Sequence, residues 1–314
     1  MIKPKPLQKG DTVAVIAPAS PPNQHNLNKG IEYLRGIGLN VVTGAHLYKK
    51  NGYLAGTDEQ RAADIHAMFA NKEVKAIICA CGGYGTARLA SQLNYDLIKR
   101  NPKIFWGYSD ITFLHTAIHQ RTGLVTFHGP MLSSDIGKED VHIETKQAFY
   151  QLFSHRSFCY TDQISSLDTI CEGEATGQLI GGNLTLLVST LGTPFELDTK
   201  NKILFIEDID EEPYEIDRMM TQLYMANKLQ DAAGIIIGDF HNCYPKKRTE
   251  SLSLEEALTS YLISLKKPVM RGFRIGHCSP QTAVAIGSYA TMSTYERMVE
   301  FESGITLPKD KVER

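Results

Sequence analysis

Apolar residues in the first half of the chain follow two alternating rhythms. Short unbroken apolar runs at 12–17, 39–42, 74–79, 104–106 and 124–127 have the length of buried strands. Between them, segments 26–36, 58–70, 85–91 and 142–153 repeat apolar residues at helical spacing. In 58–70, Ala62, Ile65, Met68 and Phe69 share one face. Strands alternating with helices predict an α/β fold, a mostly parallel sheet with helices on both faces. In such sheets ligands bind beyond the carboxyl ends of the strands.

The rhythm lapses after His155. Residues 156–174 are polar and rich in Ser, Thr and Asp, and read as a linker. Beyond it strands outnumber helices. Segment 202–225, "KILFIEDIDEEPYEIDRMMTQLYM", reads as a strand, an acidic turn and a helix, and 282–286 and 297–301 read as late strands. The expected organisation is an N-terminal α/β domain over 1–155, the linker, and a smaller β-rich α/β domain over 175–314.

Composition narrows the function classes. The chain has 314 residues, 42% of them hydrophobic, enough for a substantial core. A formal net charge of −2 and scattered lysines argue against nucleic acid as a partner. No apolar run approaches the roughly 20 residues of a membrane span, and the N-terminus does not read as a signal peptide. The six cysteines lack the spacing of a disulfide framework, so a reducing, cytoplasmic setting is expected. No dinucleotide or Walker loop is present, and no cofactor is expected. His115 and His119 sit four apart on one helix face but lack a third ligand in sequence, so no metal site is expected either.

The stretch "KIFWGYSDITFL" (103–114) places Ser109 and Asp110 between a buried strand and a helix. Two readings stand side by side. Ser and Asp are good helix N-caps. A serine on a tight strand-to-helix turn is also where a nucleophile is lifted out of a sheet. Glu207 directly follows Ile203-Leu204-Phe205-Ile206 and so leaves the carboxyl end of a buried strand, unlike the other acids of its run. Asp210 reads as the cap of the helix that follows. His277, in "RIGHCSP", lies in a loop held by Gly276 and Pro280 and is a candidate base, with His128 and His241 as weaker ones. "CGGYG" (81–85) is a tight turn whose backbone N–H groups also suit an anion.

In order and spacing, "VAVIAPAS", "GGYG", "GYSD", "HGPM", "GGNL", "LFIED" with "EPYEIDRM", and "IGHC" resemble the LD-carboxypeptidase family across nearly the whole chain. The resemblance implies a Ser-His-Glu triad: Ser109 as nucleophile, His277 as base, Glu207 orienting it. It implies backbone N–H groups of Asp110 and Gly83 as an oxyanion hole, and a homodimer. The nucleophile would lie in the first domain, the acid and base in the second. The activity implied is release of the terminal D-alanine from murein tetrapeptides during peptidoglycan recycling. Arg88 and Arg218 are candidates for the substrate carboxylate, although each has local acids to pair with. Two rivals stand beside this reading. One is a peptidase similar to microcin-immunity proteins, cleaving peptidyl- or aminoacyl-nucleotides, which needs an aromatic platform; Trp106 is the only tryptophan. The other is a two-domain protein that binds a small ligand without turnover.

Overall fold

The computed structural model describes residues 1–248 and 250–307. Along the chain the strands are β1 (Thr12–Ile16), β2 (Asn40–Thr43), β3 (Val74–Cys79), β4 (Ile104–Gly107), β5 (Thr126–His128), β6 (Phe158–Thr161), β7 (Asp168–Cys171), β8 (Glu174–Asn183), β9 (Ile203–Ile209), β10 (Gly234–His241), β11 (Val269–Arg271), β12 (Val284–Ile286), β13 (Tyr289–Ser293) and β14 (Met298–Phe301). The helices are α1 (Gln24–Gly36), α2 (Asp58–Ala70), α3 (Tyr95–Arg100), α4 (Thr112–Thr122), α5 (Ile143–Gln147), α6 (Leu184–Ser189), α7 (Pro213–Met225), α8 (Lys228–Asp231) and α9 (Leu254–Leu262). The chain divides into two compact units. The first comprises 1–156 with 279–287 and 303–307, the second 157–278 with 288–302.

The first unit is built on a six-stranded sheet in the order β12-β5-β4-β3-β1-β2. All pairs are parallel except β12 with β5. Alternate residues of β1, β3 and β4 enter two separate cores. Val13, Val15, Ile78 and Trp106 pack with Leu27, Ile31 and Leu34 of α1. Ala14, Ile16, Ile77 and Phe105 pack with Ile65 and Phe69 of α2 and Leu114 and Ile118 of α4. Burial on both faces is why these strands read as unbroken apolar runs. Helix α2 begins at the capping box of Thr57 and Gln60, which satisfies two backbone donors reciprocally.

The second unit holds an eight-stranded sheet in the order β6-β14-β13-β8-β9-β10-β11-β7. Strands β8 to β11 run parallel, and the flanking pairs are antiparallel. Its core joins Leu204, Ile206, Ile235 and Ile237 to Ile216, Met220 and Leu223 of α7 and to Leu258 and Leu262 of α9.

Three local differences from the sequence reading have physical causes. Residues 156–174, read as a linker, contain β6 and β7, the two edge strands of the second sheet. A four-residue edge strand has one ladder partner and one well-packed face, so its apolar period is faint. Residues 282–286, read as part of the second domain, supply β12, which pairs with β5 in the first unit. A three-residue strand carries no signal of which sheet it joins. Helix α7 is capped by Glu212, boxed with Glu215, and not by Asp210. Asp210 instead takes a left-handed φ of 64° and pairs with Lys246.

Candidate active site

Strand β4 is buried along its length and ends at Gly107. A Cβ on Gly107 would lie 3.0 Å from both Cys79 Cβ and Ile111 Cγ1, so the strand end accepts only glycine without adjustment. Tyr108 is still extended, and Ser109 then adopts φ +62°. A left-handed backbone costs a non-glycine residue about 1–3 kcal/mol. One 3₁₀ turn, Ser109–Ile111, leads into α4, and neither start has a side-chain cap hydrogen bond. The N-cap reading of Ser109 and Asp110 is therefore set aside. The strained serine between strand and helix has the form of a nucleophile elbow.

The Asp110 carboxylate is drawn the other way. It accepts from the Thr86 amide at 2.9 Å, and the Thr86 hydroxyl donates to the Asp110 carbonyl. Burial raises its pKa, and the Thr86 hydrogen bonds hold the rise in check. Beneath the turn, His115 Nε2 donates to the Gly107 carbonyl at 2.8 Å. Complete burial lowers that imidazole to about 4, so it is neutral and serves as a strut.

The "GGYG" loop is brought against the serine by close backbone approach. A Cβ on Gly82 would lie 3.0 Å from Ser109 Cβ and 3.1 Å from its Oγ. Gly83, at φ +109°, would place a Cβ 2.3 Å from Ser20 Oγ. Ser20 pins the loop twice: its N–H donates to the Gly82 carbonyl and its Oγ accepts from the Tyr84 amide. The sequence reading named Gly83. It missed Gly82, the glycine packed against Ser109, and Ser20, whose signal was its place at the end of "APAS" after β1.

In the second unit, Glu207 sits near the end of β9 with no exposure. Its Oε2 lies 2.7 Å from His277 Nδ1. Two glycines permit this approach. A Cβ on Gly276, at φ +117°, would meet Glu207 Oε2 at 2.6 Å. A Cβ on Gly238 would lie 2.4 Å from the Ile275 carbonyl and 2.6 Å from Phe205 Cε2. The Asp239 amide donates to that same carbonyl at 2.9 Å, tying the histidine loop to β10. Burial pushes the Glu207 carboxyl up, the His277 charge and hydrogen bond pull it down, and Asp208 and Asp239 push it up again. With the Nδ1 proton held toward this carboxylate, the His277 lone pair is on Nε2, the tautomer a general base requires. Neighbouring Asp208 is equally buried but is consumed by hydrogen bonds from Asn183, Thr185 and the Ile209 amide.

The remaining candidates separate clearly. Arg88 is held by Asp58 through three hydrogen bonds of 2.8–3.0 Å. Arg218, on α7, is exposed, and its charge only partly offsets the burial and the neighbouring Asp208 and Glu215 that push Glu211 up to about 7. Trp106 is fully buried, stacked on Phe149 at 4.5 Å and donating to the Pro130 carbonyl, so it offers no platform for a ligand. Cys81 is a core thiol pushed up to about 12 by burial. Among the described residues no group of three His, Cys, Asp or Glu is placed to hold a metal, and no helix is long and apolar enough to cross a membrane.

The family described as LD-carboxypeptidase N-terminal domain matches residues 13–129, and LD-carboxypeptidase C-terminal domain matches 176–292. A protein named probable murein peptide carboxypeptidase from Bacillus subtilis (strain 168) is 60% identical over 304 residues, 97% of this chain and 95% of its own. Among solved structures, muramoyltetrapeptide carboxypeptidase from Oxalobacter formigenes superposes with a TM-score of 0.83 at 28% identity, covering 95% of this chain and all of that one. An MccF-like protein from Bacillus anthracis superposes with a TM-score of 0.85 at 29% identity, covering 96% and all of its length. Matched in both halves and along nearly its full length, this chain belongs to the LD-carboxypeptidase family of serine-type hydrolases.

Proposed function

We propose that the protein removes the terminal D-alanine from murein tetrapeptides, with Ser109 as nucleophile, His277 as general base and Glu207 as the group that orients the base. The observation that carries the assignment is the φ of +62° at Ser109. Strain at a non-glycine residue between a buried strand and a helix needs a reason, and presenting a hydroxyl is one. The 2.7 Å pairing of Glu207 with His277 supplies the second half of the machinery.

In this reading His277 Nε2 takes the Ser109 proton as Oγ attacks the carbonyl of the L-configured centre bonded to D-alanine. Glu207 stabilises the imidazolium that forms, and the same histidine then protonates the leaving amine. The N–H groups of Asp110 and Gly83 are assigned to the tetrahedral oxyanion, each donor being worth about 3 kcal/mol. The proximity of Gly82 to Ser109 supports this, because it brings the glycine loop beside the reacting oxygen. Water releases the acyl group as a tripeptide. The free carboxylate of D-alanine is assigned to Arg218, since Arg88 is already occupied by Asp58. A cytoplasmic setting is supported by six free thiols, and a homodimer is the expected assembly. The test is D-alanine release from a free tetrapeptide. No release by the intact protein, or undiminished release by Ser109→Ala, would count against the reading.

A further inference from the structure

Tyr53 and Tyr84 are exposed aromatic residues, 65% and 54% accessible, yet they are not scattered singly. Their rings meet edge to face, with centroids 5.4 Å apart and planes at 75°. Tyr84 belongs to the glycine loop, two residues after the Gly82 that touches Ser109. Its backbone is fixed by the bond from its amide to Ser20 Oγ and by left-handed glycines on either side, Gly83 and Gly85. Beside Tyr84 in the chain, Leu54 packs against the Gly85 backbone, and Arg61 donates to the carbonyls of Gly85 and Pro18. Two large aromatic rings are thus held exposed to water, one of them on the glycine loop whose Gly82 packs against Ser109. Nothing in the catalytic assignment uses them.

We propose that Tyr53 and Tyr84 form a subsite for the carbohydrate ring of a muramyl-linked stem peptide, an inference that rests on the murein reading of Ser109. Rings at right angles make a corner in which an exposed aromatic face can meet the C–H face of a pyranose. A flat nucleobase is served better by parallel rings. A nucleotide also brings a phosphate, and Arg88, the cation beside the pair, is bound to Asp58 on three hydrogen bonds. The corner therefore suits a neutral, hydroxylated, puckered ring.

The experiment compares kcat/KM for D-alanine release from the same tetrapeptide, free and linked to N-acetylmuramic acid. The ratio of linked to free is expected to fall about tenfold in Tyr53→Ala and in Tyr84→Ala, the size of one aromatic stacking contact, and to be kept in Tyr84→Phe. Because the readout is a ratio, a general loss from a disturbed loop cancels. A ratio unchanged in both alanine variants overturns the subsite alone. Absence of release from either substrate by the intact protein overturns the murein reading and the subsite with it. Inhibition by adenosine monophosphate that is lost in Tyr84→Ala, with none from N-acetylmuramic acid, overturns the sugar in favour of a base.

Discussion

His277 Nδ1 lies 2.7 Å from Oε2 of Glu207, a carboxylate with no exposure to solvent. Burial disfavours the charge of Glu207 more than His277 restores it, so the folded-state pKa lies above the ordinary 4.5. The folded protein then holds this proton more tightly than the unfolded chain does. The stability so contributed is complete below pH 4.5 and is lost as pH rises through the raised value. Above its raised value the ionised Glu207 opposes folding while it serves the histidine. Glu207→Gln is expected to lower kcat by about 10⁴-fold. Its melting temperature relative to the parent should climb as pH is raised from below 4.5 through neutrality. A constant difference across that range would show that Glu207 is not titrating as argued.

Ser109 carries a comparable conflict in its backbone. Ser109→Ala removes the hydroxyl but keeps a Cβ at φ +62°, so activity should fall by about 10⁶-fold with no gain in stability. Ser109→Gly is equally inactive but releases the left-handed strain. Its unfolding free energy should exceed that of the alanine variant by about 1 kcal/mol. Chemical denaturation of the pair measures this, and equal midpoints with equal slopes would remove the strain argument.

Much of this was legible beforehand, and the reasons differ by residue. Strands β1, β3 and β4 announced themselves because both faces are buried, and 58–70 was readable as α2 because Ala62, Ile65, Met68 and Phe69 recur at helical spacing. Glu207 could be separated from the other acids because it directly follows four apolar residues. What the sequence could not distinguish at Ser109 was a cap from an elbow, because both place a small polar residue between strand and helix; only the φ angle decides. The edge strands β6 and β7 were hidden because pairing with a distant strand, not local pattern, makes them strands; β12 was legible as a strand, but not as a partner of β5 in the first sheet. Gly82 was hidden for a related reason: its contact is with Ser109, 27 positions away.

The two glycines nearest the reacting groups should respond differently to alanine. At Gly82 the added Cβ would meet Ser109 at 3.0–3.1 Å, a contact relieved by a shift of a few tenths of an ångström. Gly82→Ala should therefore fold with nearly the parent melting temperature and lose about 100-fold in kcat, because the nucleophile is displaced. At Gly276 the Cβ would lie 2.6 Å from the buried Glu207 carboxylate, at φ +117°. Gly276→Ala should lose activity and about 2 kcal/mol or more of stability together. Thermal melts beside kinetics separate the cases, and a stable Gly276→Ala would contradict the packing described.

The two arginines differ in what already holds them. Arg88 spends its guanidinium on Asp58, and a surface pair of this kind adds little to the fold. Arg218 is exposed on α7, whose first turn follows the acidic segment after β9. If Arg218 binds the substrate carboxylate, its charge-assisted hydrogen bonds contribute about 1.5–3 kcal/mol in ground state and transition state alike. Arg218→Ala should then raise KM about 10- to 100-fold with little change in kcat, whereas Arg88→Ala should stay within about threefold of the parent in both. A tetrapeptide ending in D-alaninamide sharpens the comparison, since it lacks the carboxylate. The parent should discriminate against the amide and Arg218→Ala should not. Equal discrimination by both would mean that another group receives the carboxylate.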